Sequence, residues 1–205
     1  MDIIQNHSCQ SIGLGPGIGR NEKTKDFLDT FLRVVTLPVV LDADALTLIS
    51  QSQSLMQALK QAAKRVCIIL TPHEGEMKRL EAALSLNSDL PRHVRAVVLS
   101  KEVGAYVVFK GAHSVIAAPD SRCTINLCDS PVLATAGSGD ILTGLVASHL
   151  ANCDDPFEAC RVACFVHGFA GYDACFCGLP HYGIIADDIL SHIPVAYSKI
   201  MYENE

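Results

Sequence analysis

Val66-Cys67-Ile68-Ile69-Leu70-Thr71-Pro72-His73-Glu74-Gly75-Glu76 decides the architecture. The apolar run Val66–Leu70 has no polar face, so it reads as a strand buried on both sides, as in a parallel sheet. Thr71-Pro72 ends it, and the acidic residues that follow open a helix over residues 73–85. Outward from this unit the same alternation repeats. Upstream, Pro38–Leu41 is a buried strand ending in Asp42-Ala43-Asp44, with a helix over Leu55–Arg65 between the two strands. Further back, Ser11–Leu14 is a short strand, and Asn21–Val35 places Phe27, Leu28, Phe31, Leu32 and Val35 on one helical face. Downstream, a helix over 91–101 is opened by Pro91. Ala105–Lys110 and Ser114–Ala118 form a hairpin across Gly111-Ala112-His113. A polar connection leads to helices over Ala136–Asn152 and Pro156–Cys177, and a last helix over Ala186–Ser198 is interrupted at Pro194. Strands alternating with helices give an α/β fold with a mostly parallel sheet, and residues 1–205 read as a single domain without repeats or linkers.

Composition narrows the functional classes. A chain of 205 residues with 49% hydrophobic and 19% charged residues has the material for one packed core. Its net charge of −6, with no cluster of Lys and Arg, argues against nucleic acid as a partner. Met1-Asp2-Ile3-Ile4-Gln5-Asn6-His7 lacks the basic start and apolar stretch of an export signal, and no window is long and apolar enough to span a bilayer. Nine irregularly spaced cysteines then read as reduced thiols in a cytoplasmic protein. Cys160, Cys164 and His167 share a helical face, with Cys175, Cys177 and His181 downstream, but no C-x-x-C pair supports a zinc site. The expectation is no metal held by the protein there. No G-x-S-x-G elbow is present either.

Ala134-Thr135-Ala136-Gly137-Ser138-Gly139-Asp140 runs straight into the apolar helix Ile141-Leu142-Thr143-Gly144-Leu145-Val146. Small residues at a helix start let backbone N–H groups approach an anion, and the helix dipole favours negative charge there. A carboxylate beside such an anion hole can deprotonate a hydroxyl that attacks a phosphoryl group. Taken alone, the pattern equally fits an aspartate that only caps a packing helix. Gly15-Pro16-Gly17-Ile18-Gly19 satisfies neither the dinucleotide fingerprint nor the P-loop and reads by itself as a tight turn. Asp42-Ala43-Asp44 and His73 with Glu76 sit at strand ends, where open α/β sheets bind ligands, but both also suit ordinary helix starts. Lys110-Gly111-Ala112-His113-Ser114 supplies a cation, a turn and a hydroxyl, or simply a solvated hairpin.

In order, GLGPGIG (13–19), PVVLDADAL (38–46), LTPHEGEMKRL (70–80), VVFKGAHSVIA (107–117) and LATAGSGDILTG (133–144) resemble the ADP/ATP-dependent NAD(P)H-hydrate dehydratases, relatives of ribokinase and hydroxyethylthiazole kinase. The tail HGFAGYDA…GIIADDILSHIP is similar too. The resemblance implies a ribokinase-like three-layer αβα fold. It also implies a hydro-lyase that uses ADP or ATP with Mg²⁺ to phosphorylate the ring hydroxyl of hydrated NADH or NADPH and then eliminates phosphate. Carried over by motif, Asp140 is the catalytic base and touches the substrate, and Gly137, Ser138 and Gly139 form the anion hole. Lys110, Gly111, Ala112, His113, Ser114 and Gly139 hold the nucleotide. Gly15, Gly17 and His73 contact the hydrated cofactor. Asp42 and Asn126 shape the site, Asp42 also being a candidate for holding metal-bound water.

Two departures from the family pattern stand out. The family carries further strands and a helix before the GPG turn, so the fold is expected to be N-terminally truncated, with a homo-oligomer or a partner supplying the missing strands. Where the family has Asn-x-x-Gly, this chain has Asn126-Leu127-Cys128-Asp129. Alternatives within the same fold are a small-molecule kinase of the ribokinase or hydroxyethylthiazole kinase type, and an inactive remnant or subunit.

Overall fold

The computed structural model describes residues 9–176 and 183–202. Met1–His7, Cys177 and His181, which entered the readings of export and zinc binding, lie outside them. Six strands form one sheet in the order β1 (Ile12–Leu14), β2 (Val39–Leu41), β3 (Ile68–Leu70), β4 (Tyr106–Phe109), β5 (Val115–Ala117) and β6 (Cys123–Ile125). The first four are parallel, with Leu14 opposite Leu41, Leu41 opposite Leu70, and Leu70 opposite Val107. Strands β4, β5 and β6 are antiparallel, with Phe109 opposite Val115 and Val115 opposite Ile125.

Strand order equals chain order through β4. Crossovers of one hand then place every connecting helix on the same face of the sheet. Helices α1 (Glu22–Val34), α2 (Ala43–Ser50), α3 (Gln53–Ala62), α4 (Glu74–Ala83) and α5 (Arg92–Val103) accordingly share one core. Into it point Val39, Leu41, Ile68, Leu70, Val107 and Phe109. The alternate residues Val40, Ile69, Val108 and Ile116 point the other way. They meet α6 (Ser138–Leu150), α7 (Pro156–Phe176) and α8 (Ala186–Tyr202) in a second core. The result is a three-layer αβα sandwich, the architecture that the resemblance implies, with period-two strands feeding two separate cores.

Local chemistry sets the helix boundaries. Asn21 caps α1 by accepting the Thr24 N–H at 3.0 Å, and Ser52 caps α3. Helix α6 begins at Ser138, two residues later than the small-residue pattern suggests, because Gly137 is left-handed at φ 87° and cannot belong to the helix. One expectation is overturned. Helix α8 is not interrupted at Pro194 but runs through it. Proline removes the N–H that would pair with the Leu190 carbonyl. Both residues lie on the solvent face, where water can satisfy that carbonyl, and the Ser198 hydroxyl donates to the Pro194 carbonyl at 3.1 Å.

Candidate functional site

The carboxyl ends of the parallel strands gather the sequence motifs on one edge of the sheet, as expected for ligand sites in open α/β folds. Strand β1 leads into Gly15, β2 into Asp42, β3 into Thr71-Pro72-His73, and β4 into Lys110. The start of α6 closes over them. Gly15 has to be glycine: its φ is 136°, and an added Cβ would lie 1.9 Å from the Asp42 carbonyl oxygen. This contact locks the GPG turn against the end of β2, and the Asp42 N–H donates to the Leu14 carbonyl at 3.1 Å.

Asp42 is the buried hub, 1% exposed. Its Oδ1 lies 2.5 Å from Lys110 Nζ, and its Oδ2 accepts the Thr143 hydroxyl of α6 at 2.8 Å. Lys110 thereby reaches under the start of α6, its Nζ 3.3 Å from where a Cβ on Gly139 would stand. Glu76 is buried close by. Burial pushes its carboxyl up, and the Asp42 charge adds to this, while a backbone hydrogen bond from His73 and the Lys110 and His73 charges oppose it. His73 serves as the N-cap of α4. Its Nδ1 accepts the Gly75 N–H at 2.9 Å, and Glu76 reaches back to the His73 N–H at 2.9 Å. Nδ1 thus faces the backbone N–H groups of the first turn, and the ring is half committed to the helix start.

Beside this hub lies a cavity of about 250 Å³. Lys110, Gly111, Ala112 and Ser114 line it from the hairpin turn, Ser138, Gly139 and Leu142 from α6, and Asn126, Cys128 and Asp129 from the loop after β6. The hairpin turn, the start of α6 and Asn126 thus converge on one space. His113 does not join them. It is left-handed at φ 56°, and its N–H donates to Asp129 Oδ2 at 3.2 Å. Asn126 braces the loop, its Nδ2 donating to the carbonyls of Cys128 at 2.7 Å and Cys164 at 3.0 Å. Gly15, Gly17, His73 and Asp140 stand outside the cavity, on the same edge of the sheet, with Asp140 exposed on the first turn of α6.

Within the glycine-rich start of α6, the Ser138 N–H turns to the Thr135 carbonyl at 3.3 Å and the Asp140 N–H to the Gly137 carbonyl at 3.1 Å. Ser138 therefore offers the cavity its hydroxyl rather than its amide. That hydroxyl meets Nε2 of His167 at 3.0 Å. His167 is buried, which pushes its pKa down to about 4 against a backbone hydrogen bond to Ser138, and the Lys110 charge pushes the same way as burial. Sequence reasoning missed Thr143 and the role of His167. Thr143 lies inside an apolar helix run, and His167 stood out only as a neighbour of cysteines. Cys160 and Cys164 are buried in the second core.

The NAD(P)H-hydrate dehydratase domain matches residues 2–194. The chain belongs to the NAD(P)H-hydrate dehydratase family. Its family relatives include the bifunctional NAD(P)H-hydrate repair enzyme Nnr of Thermofilum pendens, 39% identical over 164 residues, which cover 80% of this chain and 30% of that protein. Nnr of Moorella thermoacetica is 32% identical over 95% of this chain and 36% of its own length. The chain spans about a third of these curated relatives. Among solved structures of the family, the ADP/ATP-dependent NAD(P)H-hydrate dehydratase of Bacillus subtilis, co-crystallised with ATP and Mg²⁺, superposes with a TM-score of 0.74 at 28% identity. That match covers 93% of this chain and 64% of the Bacillus chain. Hydroxyethylthiazole kinase of Pyrococcus horikoshii, 15% identical with a TM-score of 0.71, shares the fold.

Proposed function

We propose that this chain carries out the nucleotide-dependent dehydration of hydrated NADH or NADPH. The observation that carries the reading is the convergence of the Lys110–Ser114 turn and the Ser138–Gly139 helix start on one cavity at the carboxyl edge of the sheet. A cation, small residues that admit close approach, a hydroxyl and a helix N-terminus suit the phosphates of ADP or ATP. Among the described residues no three His, Cys, Asp or Glu side chains converge as a metal site. Mg²⁺ would keep its waters and ride on the nucleotide phosphates, with the buried Asp42 carboxylate a candidate to hold such a water.

The hydrated cofactor would lie outside the cavity, against Gly15, Gly17 and His73. There the exposed Asp140 would take the proton of the ring hydroxyl as that oxygen attacks the terminal phosphorus. ATP leaves as ADP, or ADP as AMP. The C–O bond then breaks as the ring nitrogen lone pair expels phosphate, and loss of a proton from the neighbouring ring carbon restores the double bond. Gly137, Ser138 and Gly139 would hold the transferring group, with negative charge met by fixed donors. The outer edge of β1, where Gly13 is exposed, is where further strands from a partner or a second copy would add.

The test is recovery of absorbance at 340 nm from hydrated NADH with Mg²⁺ and either nucleotide. Nucleotide-dependent recovery, abolished by Asp140→Asn in a variant that folds like the parent, supports the reading. A stable phosphorylated product without reduced cofactor would replace it with a kinase.

A further inference from the structure

Ser138 and His167 come from different helices, 29 positions apart, and both are buried and line the cavity. The hydroxyl has one proton, and so does a neutral imidazole. If Ser138 spent its proton on Nε2, only oxygen lone pairs would face an anion in the cavity. If Nε2–H instead donates to Oγ, the hydroxyl proton is free to point inward. The Ser138 amide cannot substitute, because it is turned to Thr135.

We infer that His167 is a positioning residue whose Nε2–H holds the Ser138 hydroxyl as a donor toward the phosphoryl group bound at the start of α6. This rests on the nucleotide reading of the cavity. A protonated ring would also donate from Nε2, but it would add a buried cation beside Lys110. The neutral ring supplies the same geometry without that cost.

Four variants of the full chain test it: Ser138→Ala, His167→Leu, the double variant and His167→Gln. The readouts are kcat and KM in the 340 nm assay and, independently, ADP affinity by calorimetry without substrate. Each single removal is expected to lower kcat about 100- to 1000-fold with KM for the hydrated cofactor little changed, as for loss of one transition-state donor. The double variant is expected to be no worse than the worse single. His167→Gln, whose amide can donate from a similar place, is expected to recover most of the loss. Multiplying losses in the double variant, or no rescue by glutamine, would overturn the assignment, since His167 would then act on the ligand or on packing by itself. If His167→Leu fails to fold, His167→Met, which has no donor, takes its place in the cycle. If the parent binds ADP without turnover, the same cycle is read on ADP affinity. If the parent binds no ADP, the nucleotide reading falls first and this assignment with it.

Discussion

Nζ of Lys110 lies 2.5 Å from Oδ1 of Asp42, a residue 68 positions earlier in the chain. The pair spans β3, joining the end of β4 to the end of β2, and Thr143 ties the other Asp42 oxygen to α6. A lysine that the sequence offers as a free phosphate ligand is thus already neutralised from below. Removing one partner of a buried pair strands the other charge. Asp42→Ala is expected to cost about 3 kcal/mol of unfolding free energy in urea. A loss below about 1 kcal/mol would mean that water reaches the pair.

Asp129 lines the cavity, its carboxylate held by the N–H groups of His113 and Ser130. An anionic ligand in the cavity meets like charge there. Asp129→Asn keeps a carbonyl acceptor and removes the charge, so ADP is expected to bind roughly threefold tighter, with the gain shrinking as salt rises. Unchanged or weaker binding in low salt would show that the carboxylate assists the ligand.

His167 sets a pH dependence whose sign is fixed. Its pKa falls from 6.5 to about 4 on folding, so the unfolded chain binds the proton more readily. The corresponding stability is complete above the unfolded value and is lost as pH drops toward 4. Across that window the parent is expected to lose about 3 kcal/mol more than His167→Gln does. Equal slopes in urea titrations of the two proteins would refute burial of a neutral ring.

Gly15→Ala is expected to be more harmful than its size suggests. The new methyl would collide with the Asp42 carbonyl in a backbone conformation that alanine rarely adopts. Destabilisation of at least about 2 kcal/mol should appear as a lowered Tm. Gly17→Ala serves as the control, because no atom lies within 4 Å of its would-be Cβ, although its φ of 66° still carries some strain.

Much of the fold is legible in the sequence because β2 and β3 are apolar on both faces and leave no other reading. Strand β6 is not. Cys123, Thr124 and Ile125 form an edge strand with an exposed pattern, so nothing in their composition separates them from a loop. Helix α2 shows little amphipathic contrast because Ala45–Ile49 are all buried. At the site, motifs located the strand ends and the start of α6. They could not show that Thr143 reaches back 101 positions to Asp42, or that His167 reaches Ser138. Such pairings depend on how helices are layered, which no local pattern encodes.

That layering has a consequence for a chain made from its N-terminus on the ribosome. Residues through β4 can bury one side of the sheet with α1–α5, while Val40, Ile69 and Val108 on the other side wait for α6, α7 and α8. The nascent protein therefore carries a bare apolar sheet face until α6–α8 emerge, a natural target for a chaperone. The cavity, whose walls include α6 and α7, is among the last features to exist. Capacity to bind nucleotide is expected to arrive only once α6 and α7 have emerged, as a report that the sandwich has closed.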